Sequence, residues 1–463
     1  MVNISYFCNS TICSFLLTMK RSWIAISLFF VSFSHSLAQT FETSYSRPVH
    51  DVMQDVCQRF GVRMKFDGNV DTVGVMLPYA DFRVRPYSLE QTLDNICKYF
   101  DWNWWPQSGN LFKIKRYEYP RRHDDEGRQM LDYLSRLYTN REQWEQRRAI
   151  LIKEVRERLQ IDKFLDSCVV DDASILSKVR KHDGYTTQNI CLELTPGQHA
   201  FGTIYTPLLK RGRGRLFPLI ICPDGHWPSR YRDDEQQRLA TLARMGAICV
   251  DFDLYGYGQS ADEVGNHNTP RAHIFQAACG LKLLDWMLKN RKDIDTTRIA
   301  ANGGSGGGTH TVLLTLLDQR ITASAPVVHV ASHFDGGCPC ESGMPVQLAG
   351  GGTCEAELAA IIAPRPLLLV SDGGDWTHTN PELEYPFIQR IFGFYGAKEN
   401  VRNVHLPDER HDFGPNKRQA VYDFFADVFG LDRSMIDESK VTIETPEVMQ
   451  TKLGSASYSA GRR

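Results

Sequence analysis

The chain has 463 residues, 42% of them hydrophobic, and a formal net charge of −2. That length exceeds one ordinary core and predicts two domains with connections. The near-neutral balance gives no reason to expect nucleic acid or an anionic membrane surface as a partner.

At the N-terminus, Met19-Lys20-Arg21 is a short basic region, followed by an apolar run from Trp23 to Val31. Ser36-Leu37-Ala38 then supplies small residues at the spacing that signal peptidase reads. The pattern predicts a start at Met19, cleavage after Ala38, and export to the periplasm or beyond in a Gram-negative bacterium. Residues 1–18 read as an over-called start. The apolar run is short of the roughly 20 residues a membrane span needs. The residue directly after the cleavage point is Gln39, not a cysteine that could carry a lipid, so no stable membrane anchor is expected.

Residues 40–119 form a self-contained pattern. Val49, Val52, Met53, Val56 and Phe60 follow helical spacing up to Gly61. Strand-like Val62–Phe66 and Gly74–Leu77 come next, and Ser88-Leu89-Glu90-Gln91 opens a second helix with a capping box. A hairpin from Trp102 to Lys115, turning at 106–110, closes the unit. This pattern resembles the short N-terminal domain of secretins and TonB-dependent receptors, a small βαβ-type module. The resemblance implies a docking module with a protein partner; the alternative is a small α+β domain that only packs against its neighbour.

Residues 120–165 are charge-rich with helical period and read as a helical linker whose charges are solvated. From 166 to 432 strands and helices alternate, the signature of a parallel sheet. The strands are Ile190–Leu194 and Gly202–Tyr205, an opening antiparallel pair, then Pro218–Cys222, Ala247–Asp253, Ile299–Ala301, Ala325–Val330, Pro366–Val370 and Val401–Leu406. Helices are predicted near Leu239–Leu242, over 273–289, from Thr309, and over Lys417–Phe429. The tail over 433–463 is polar and reads as flexible.

Gly303-Gly304-Ser305-Gly306-Gly307 sits where a strand gives way to a helix and fits G-x-S-x-G, the nucleophile elbow of α/β-hydrolases. A phosphate loop would need a lysine that is absent here, and a dinucleotide fingerprint belongs near the start of a βαβ unit. A nucleophilic serine needs a base and an orienting acid, which on this fold follow in the order acid, then histidine. Asp375 follows one strand and is the chosen acid, with Asp372 the alternative capping a turn. His411 follows the last strand and is the chosen base, whereas His405 lies within that strand. The oxyanion hole is expected from the backbone N–H groups of Gly306 and His226, with Trp227 at the pocket mouth. Asp253–Gly258 reads as a structural turn.

Of twelve cysteines, Cys8 and Cys13 precede the cleavage point. Cys338, Cys340 and Cys354 are expected to supply one loop disulfide. Cys57, Cys97, Cys191, Cys222 and Cys249 read as buried thiols. Paired ligands at C-x-x-C spacing are absent, so neither a metal nor an organic cofactor is expected.

With these residues in place, the second domain resembles the carbohydrate-esterase branch of the α/β-hydrolases, in particular acetyl xylan esterase-like proteins. The resemblance rests on Pro223–Trp227, Gly303–Gly308, Gly336–Gly343, Ser371–Thr377 and His411–Gly414. It implies a serine esterase acting on ester substituents, foremost acetyl, of plant cell-wall polysaccharide. Pectin methylesterase, glucuronoyl esterase and serine peptidase are the alternatives on the same fold, and a binding protein with a relic hydrolase domain is a further one. Glucuronoyl esterases usually carry arginine after the serine, where this chain has Gly306. Glu341, after the strand that follows the elbow, is where some related esterases keep an alternative acid, supporting or replacing Asp375.

Overall fold

The computed structural model describes residues 46–453, apart from 67–69, 71, 85–86, 101, 108, 117–123, 170–173, 209–215, 270, 335–337, 339, 342 and 344. The expected signal peptide, with Met19, Ala38, Cys8 and Cys13, lies outside the described residues. The chain divides into two units, Met1–Arg116 and Tyr117–Arg463.

In the first unit, β1 (Arg47–Pro48) leads into α1 (Val49–Phe60), then β2 (Arg63–Phe66), β3 (Met76–Leu77), α2 (Leu89–Cys97), β4 (Trp102–Pro106) and β5 (Leu111–Arg116). Val49, Val52, Met53 and Val56 form one face of α1 and are buried against Leu93, Ile96 and Ile114. Gly61 ends α1 at φ 65°, a left-handed cap that glycine takes without a Cβ penalty. The capping box forms as a reciprocal pair, with the Gln91 N–H donating to Ser88 Oγ and the Ser88 N–H to Gln91 Oε1, each at 3.3 Å. The three-stranded sheet runs β2-β5-β4, the first pair parallel and the second antiparallel.

The second unit opens with α3 (Asp124–Leu137), α4 (Arg141–Leu159) and α5 (Ile161–Ser167). Leu131, Leu134, Trp144, Leu151 and Val155 enter the same core as Leu219, Val250 and Ile299. Not all of the charges here are solvated. Arg147 is buried and donates two hydrogen bonds of 2.9 Å to Glu357, plus others to the Gly350 and Gly352 carbonyls.

A ten-stranded sheet follows. Its strands are β6 (Ile175–Leu176), β7 (Arg180–Lys181), β8 (Tyr185–Thr195), β9 (Gln198–Pro207), β10 (Phe217–Pro223), β11 (Ile248–Phe252), β12 (Ile294–Gly304), β13 (Ala323–Val327), β14 (Leu367–Asp372) and β15 (Val401–Leu406). Strands β10 to β15 are parallel, in the order β15-β14-β13-β12-β10-β11, and β9, β8 and β6 extend the edge antiparallel.

Every residue of β10 is buried, as expected for a strand covered on both faces. Its side chains alternate between the two covering layers. Leu219 and Ile221 join α7 (Arg271–Asn290) and α8 (Gly306–Leu317), while Ile220 and Cys222 join α6 (Asp233–Met245) and α9 (Pro415–Phe429). This is the α/β-hydrolase fold.

Two expectations change. The stretch 433–453, expected as flexible tail, is tied down by buried hydrogen bonds. Asn189 Nδ2 donates to the Val448 and Gln450 carbonyls, Arg180 pairs with Glu444, and Gln236 bridges both backbone groups of Glu444. Polar composition concealed this because the anchors are backbone groups and a glutamate side chain whose arginine partner lies 264 residues away, which no local pattern reports; residues 454–463 lie outside the described residues. The loop disulfide does not form either: Cys338, Cys340 and Cys354 are buried free thiols.

Candidate active site

Ser305 occupies the tight turn between β12 and α8 at φ 54° and ψ −124°, a strained conformation for a residue with a Cβ. Its N–H donates to the Val327 carbonyl at 3.0 Å, which fixes the turn to β13. Close backbone approach accounts for the glycines two residues to either side. A Cβ on Gly307 or Gly303 would run into the Pro223 carbonyl oxygen.

The loops after β14 and β15 bring the other two predicted residues to this turn. Ser305 Oγ lies 2.9 Å from His411 Nε2, and His411 Nδ1 lies 2.6 Å from Asp375 Oδ2. The second carboxylate oxygen of Asp375 accepts from the Thr377 N–H and hydroxyl, both at 2.6 Å. Burial pushes the Asp375 carboxyl up, but the hydrogen bonds from His411 and Thr377 outweigh it and hold the group below its ordinary value. Asp375 is therefore the carboxylate that meets His411. Asp372, the alternative, instead faces Lys417 Nζ at 3.1 Å and accepts from the Gly374 N–H at 3.0 Å. His405 lies 3.0 Å from the Ser371 hydroxyl.

The rings of Trp376 and Trp227 lie 4.6 and 6.5 Å from that of His411. The Trp376 indole is itself held by a 3.0 Å hydrogen bond to the His329 carbonyl. Burial pushes the His329 imidazole down to about 3, so it adds no positive charge beside His411.

Gly306 opens α8, so its N–H is among the first-turn donors that have no partner inside the helix. His226, expected to supply the second oxyanion donor, follows β10 and packs its ring on Gly306. A Cβ at Gly306 would stand 2.6 Å from the His226 imidazole, so an arginine there would require the ring to leave. Glu341 holds that ring, with Oε1 3.1 Å from His226 Nδ1 and 3.5 Å from Ser305 Oγ. The Asp253–Gly258 turn carries structural contacts: Asp253 pairs with Arg230 at 2.9 Å, and the Tyr255 carbonyl meets His267 Nδ1.

Sequence reasoning missed one cluster. His226, His267, Cys338 and Cys340 converge so that their ligand atoms all lie within 4.8 Å of one another. The only sequence signal was the short Cys338-Pro339-Cys340 spacing; the histidines come from loops 112 and 71 residues upstream.

A serine hydroxyl, an imidazole, a carboxylate and first-turn helix N–H groups brought together in this way are parts that acyl transfer can use. A scan of family models and a comparison with curated proteins both match nothing. Among solved structures, Methylesterase BT1017 matches with 60% identity and a TM-score of 0.72, over 88% of this chain and 91% of that one. Glucuronoyl Esterase from Solibacter usitatus matches at 13% identity and TM-score 0.44, over 62% of this chain and 93% of that one. Acetyl xylan esterase from Paenibacillus sp. R4 matches at 16% identity and TM-score 0.39, over 58% and 92%. The last two are too remote to carry argument. At the identity and coverage of the first, the chain belongs to the family of Methylesterase BT1017.

Proposed function

We propose that this chain is an exported serine esterase that removes methyl groups from esterified uronic acid units of plant cell-wall polysaccharide. The carrying observation is the relay in which His411 stands 2.9 Å from Ser305 Oγ and 2.6 Å from Asp375. The 60% identical relative is named a methylesterase, which moves the preferred leaving group from the acetyl expected by resemblance to methyl. In a polysaccharide a methyl ester needs a carboxyl-bearing sugar, hence a uronic acid. The space that an arginine would need after Ser305 is filled by His226, which disfavours the glucuronoyl reading.

In this mechanism Ser305 Oγ bonds to the ester carbonyl carbon while His411 Nε2 takes its proton. The carbonyl oxygen becomes an oxyanion held by the Gly306 and His226 N–H groups. Collapse breaks the bond to the methoxy oxygen, and His411 returns the proton to release methanol. Water, deprotonated by His411, then attacks the acyl-enzyme, freeing the uronate and restoring Ser305. Asp375 keeps Nδ1 protonated and stabilises the transient imidazolium. The N-terminal unit, by the pattern of its helices and strands, is read as a docking module for a protein partner.

Product release from methylated pectin and acetylated xylan, wild type beside Ser305→Ala, tests this. Serine-dependent methanol is expected. Serine-dependent acetate instead would return the assignment to deacetylation. Neither product, with fluorophosphonate labelling intact, would point to a bulkier ester or a peptide, and loss of labelling would leave only a binding protein.

A further inference from the structure

We propose that His226, His267, Cys338 and Cys340 bind a zinc ion, a structural site beneath the catalytic serine. The assignment goes beyond the esterase reading and does not depend on it.

The four ligand atoms converge, all within 4.8 Å of one another. His226 Nε2 lies 3.0 Å from His267 Nε2, 3.0 Å from Cys338 Sγ and 3.4 Å from Cys340 Sγ. Cys340 Sγ lies 3.2 Å from Cys338 Sγ and 3.5 Å from His267 Nε2. Zinc bonds of about 2.0–2.3 Å at tetrahedral angles set ligand atoms roughly 3.3–3.8 Å apart. Five of the six separations lie within that range or a few tenths of an ångström below it, and the sixth, Cys338 Sγ to His267 Nε2, lies within 4.8 Å.

The outer nitrogens point the same way. His267 Nδ1 faces the Tyr255 carbonyl, so it must carry a proton. His226 Nδ1 lies 3.1 Å from the Glu341 carboxylate. The two Nε2 atoms face each other at 3.0 Å, an approach that a shared proton or a metal cation between them satisfies. A carboxylate and a carbonyl behind the two histidines are also what orients imidazole ligands at metal centres.

Two thiolates and two imidazoles in a tetrahedron suit zinc. Four protein ligands leave no open position, which marks the site as structural rather than hydrolytic. His267, Cys338 and Cys340 are buried, which shields the site from exchange. The ligands come from the loops after β10, β11 and β13, so one ion ties together the loops that carry His226 and Glu341. On binding, the two thiols lose their protons and each sulfur forms a bond to the metal.

The full-length protein, desalted after exposure to zinc, is expected to retain about one zinc per chain by elemental analysis. A Cys338→Ser/Cys340→Ser variant should lose it, with a lower thermal midpoint. Cobalt exchanged into the wild type should show tetrahedral ligand-field bands and thiolate charge transfer, a readout that survives if the variant does not fold. Zinc far below stoichiometric, zinc retained by the double variant, iron in its place, or an intact mass showing a Cys338–Cys340 disulfide would each overturn the assignment.

Discussion

His411 Nδ1 stands 2.6 Å from Asp375 Oδ2, while the other oxygen of that carboxylate is held by both polar groups of Thr377. The carboxylate is thus locked in one orientation before any substrate arrives. Asp375→Asn keeps the shape but offers an amide where a charge was needed. It is expected to lower kcat by roughly 10⁴-fold with little change in KM. A loss of less than about tenfold would mean that Glu341 serves the base instead.

Gly307→Ala places a Cβ on the Pro223 carbonyl oxygen, which as backbone cannot rotate away. The strand and helix must part, so a stability loss of about 1–3 kcal/mol is expected. Activity should fall as well, because the same separation moves Ser305 from His411. Urea unfolding and kcat measured together check both.

Arg147 and Glu357 have side chains 9% and 0% exposed and face each other at 2.9 Å. Arg147→Met leaves the Glu357 carboxylate buried without its guanidinium, although the Thr353 hydroxyl still donates to it. The expected cost is about 3–5 kcal/mol in unfolding free energy. Adding Glu357→Leu should restore much of it, since neither charge then remains buried. A double variant as unstable as the single one would contradict this account.

Arg230 serves two buried carboxylates, Asp253 at 2.9 Å and Asp251 at 3.6 Å. Burial pushes the Asp251 carboxyl up to about 7, against the pull of Arg230, with Glu235 and Asp253 also raising it and the Thr203 N–H lowering it. The unfolded value is near 3.9, so between those values the folded chain holds a proton that the unfolded chain has released. Asp251's contribution to stability is therefore full below pH 4 and is lost as the pH rises through about 7. Asp251→Asn should flatten the fall in urea midpoint between pH 5 and 8, leaving a pH-independent offset.

The positions of Ser305, Asp375 and His411 were readable because chain order follows strand order in this sheet, and each residue lies just past a strand end. G-x-S-x-G also announced itself, since the glycines answer to backbone contacts within a few residues of the serine. What lay hidden depends on loops meeting from far apart. Glu341 was legible as an acid, but its hold on His226 required two loops in register. The histidines of the Cys338–Cys340 cluster carry no local pattern, and Arg147 looked like one more helix charge. The closing segment was misread because its anchors are main-chain groups and the Glu444 carboxylate, whose partners lie far away in the chain.

That closing segment also sets an order of events during synthesis. Asn189 on β8 is satisfied by the Val448 and Gln450 carbonyls, and buried Arg230 donates to the Met449 carbonyl. These partners are made some 220–260 residues later than the groups they satisfy. Until residues near 450 are in place, the sheet edge holds unpaired polar groups that cannot be buried. A chain truncated before residue 442 should therefore remain protease-sensitive along β8.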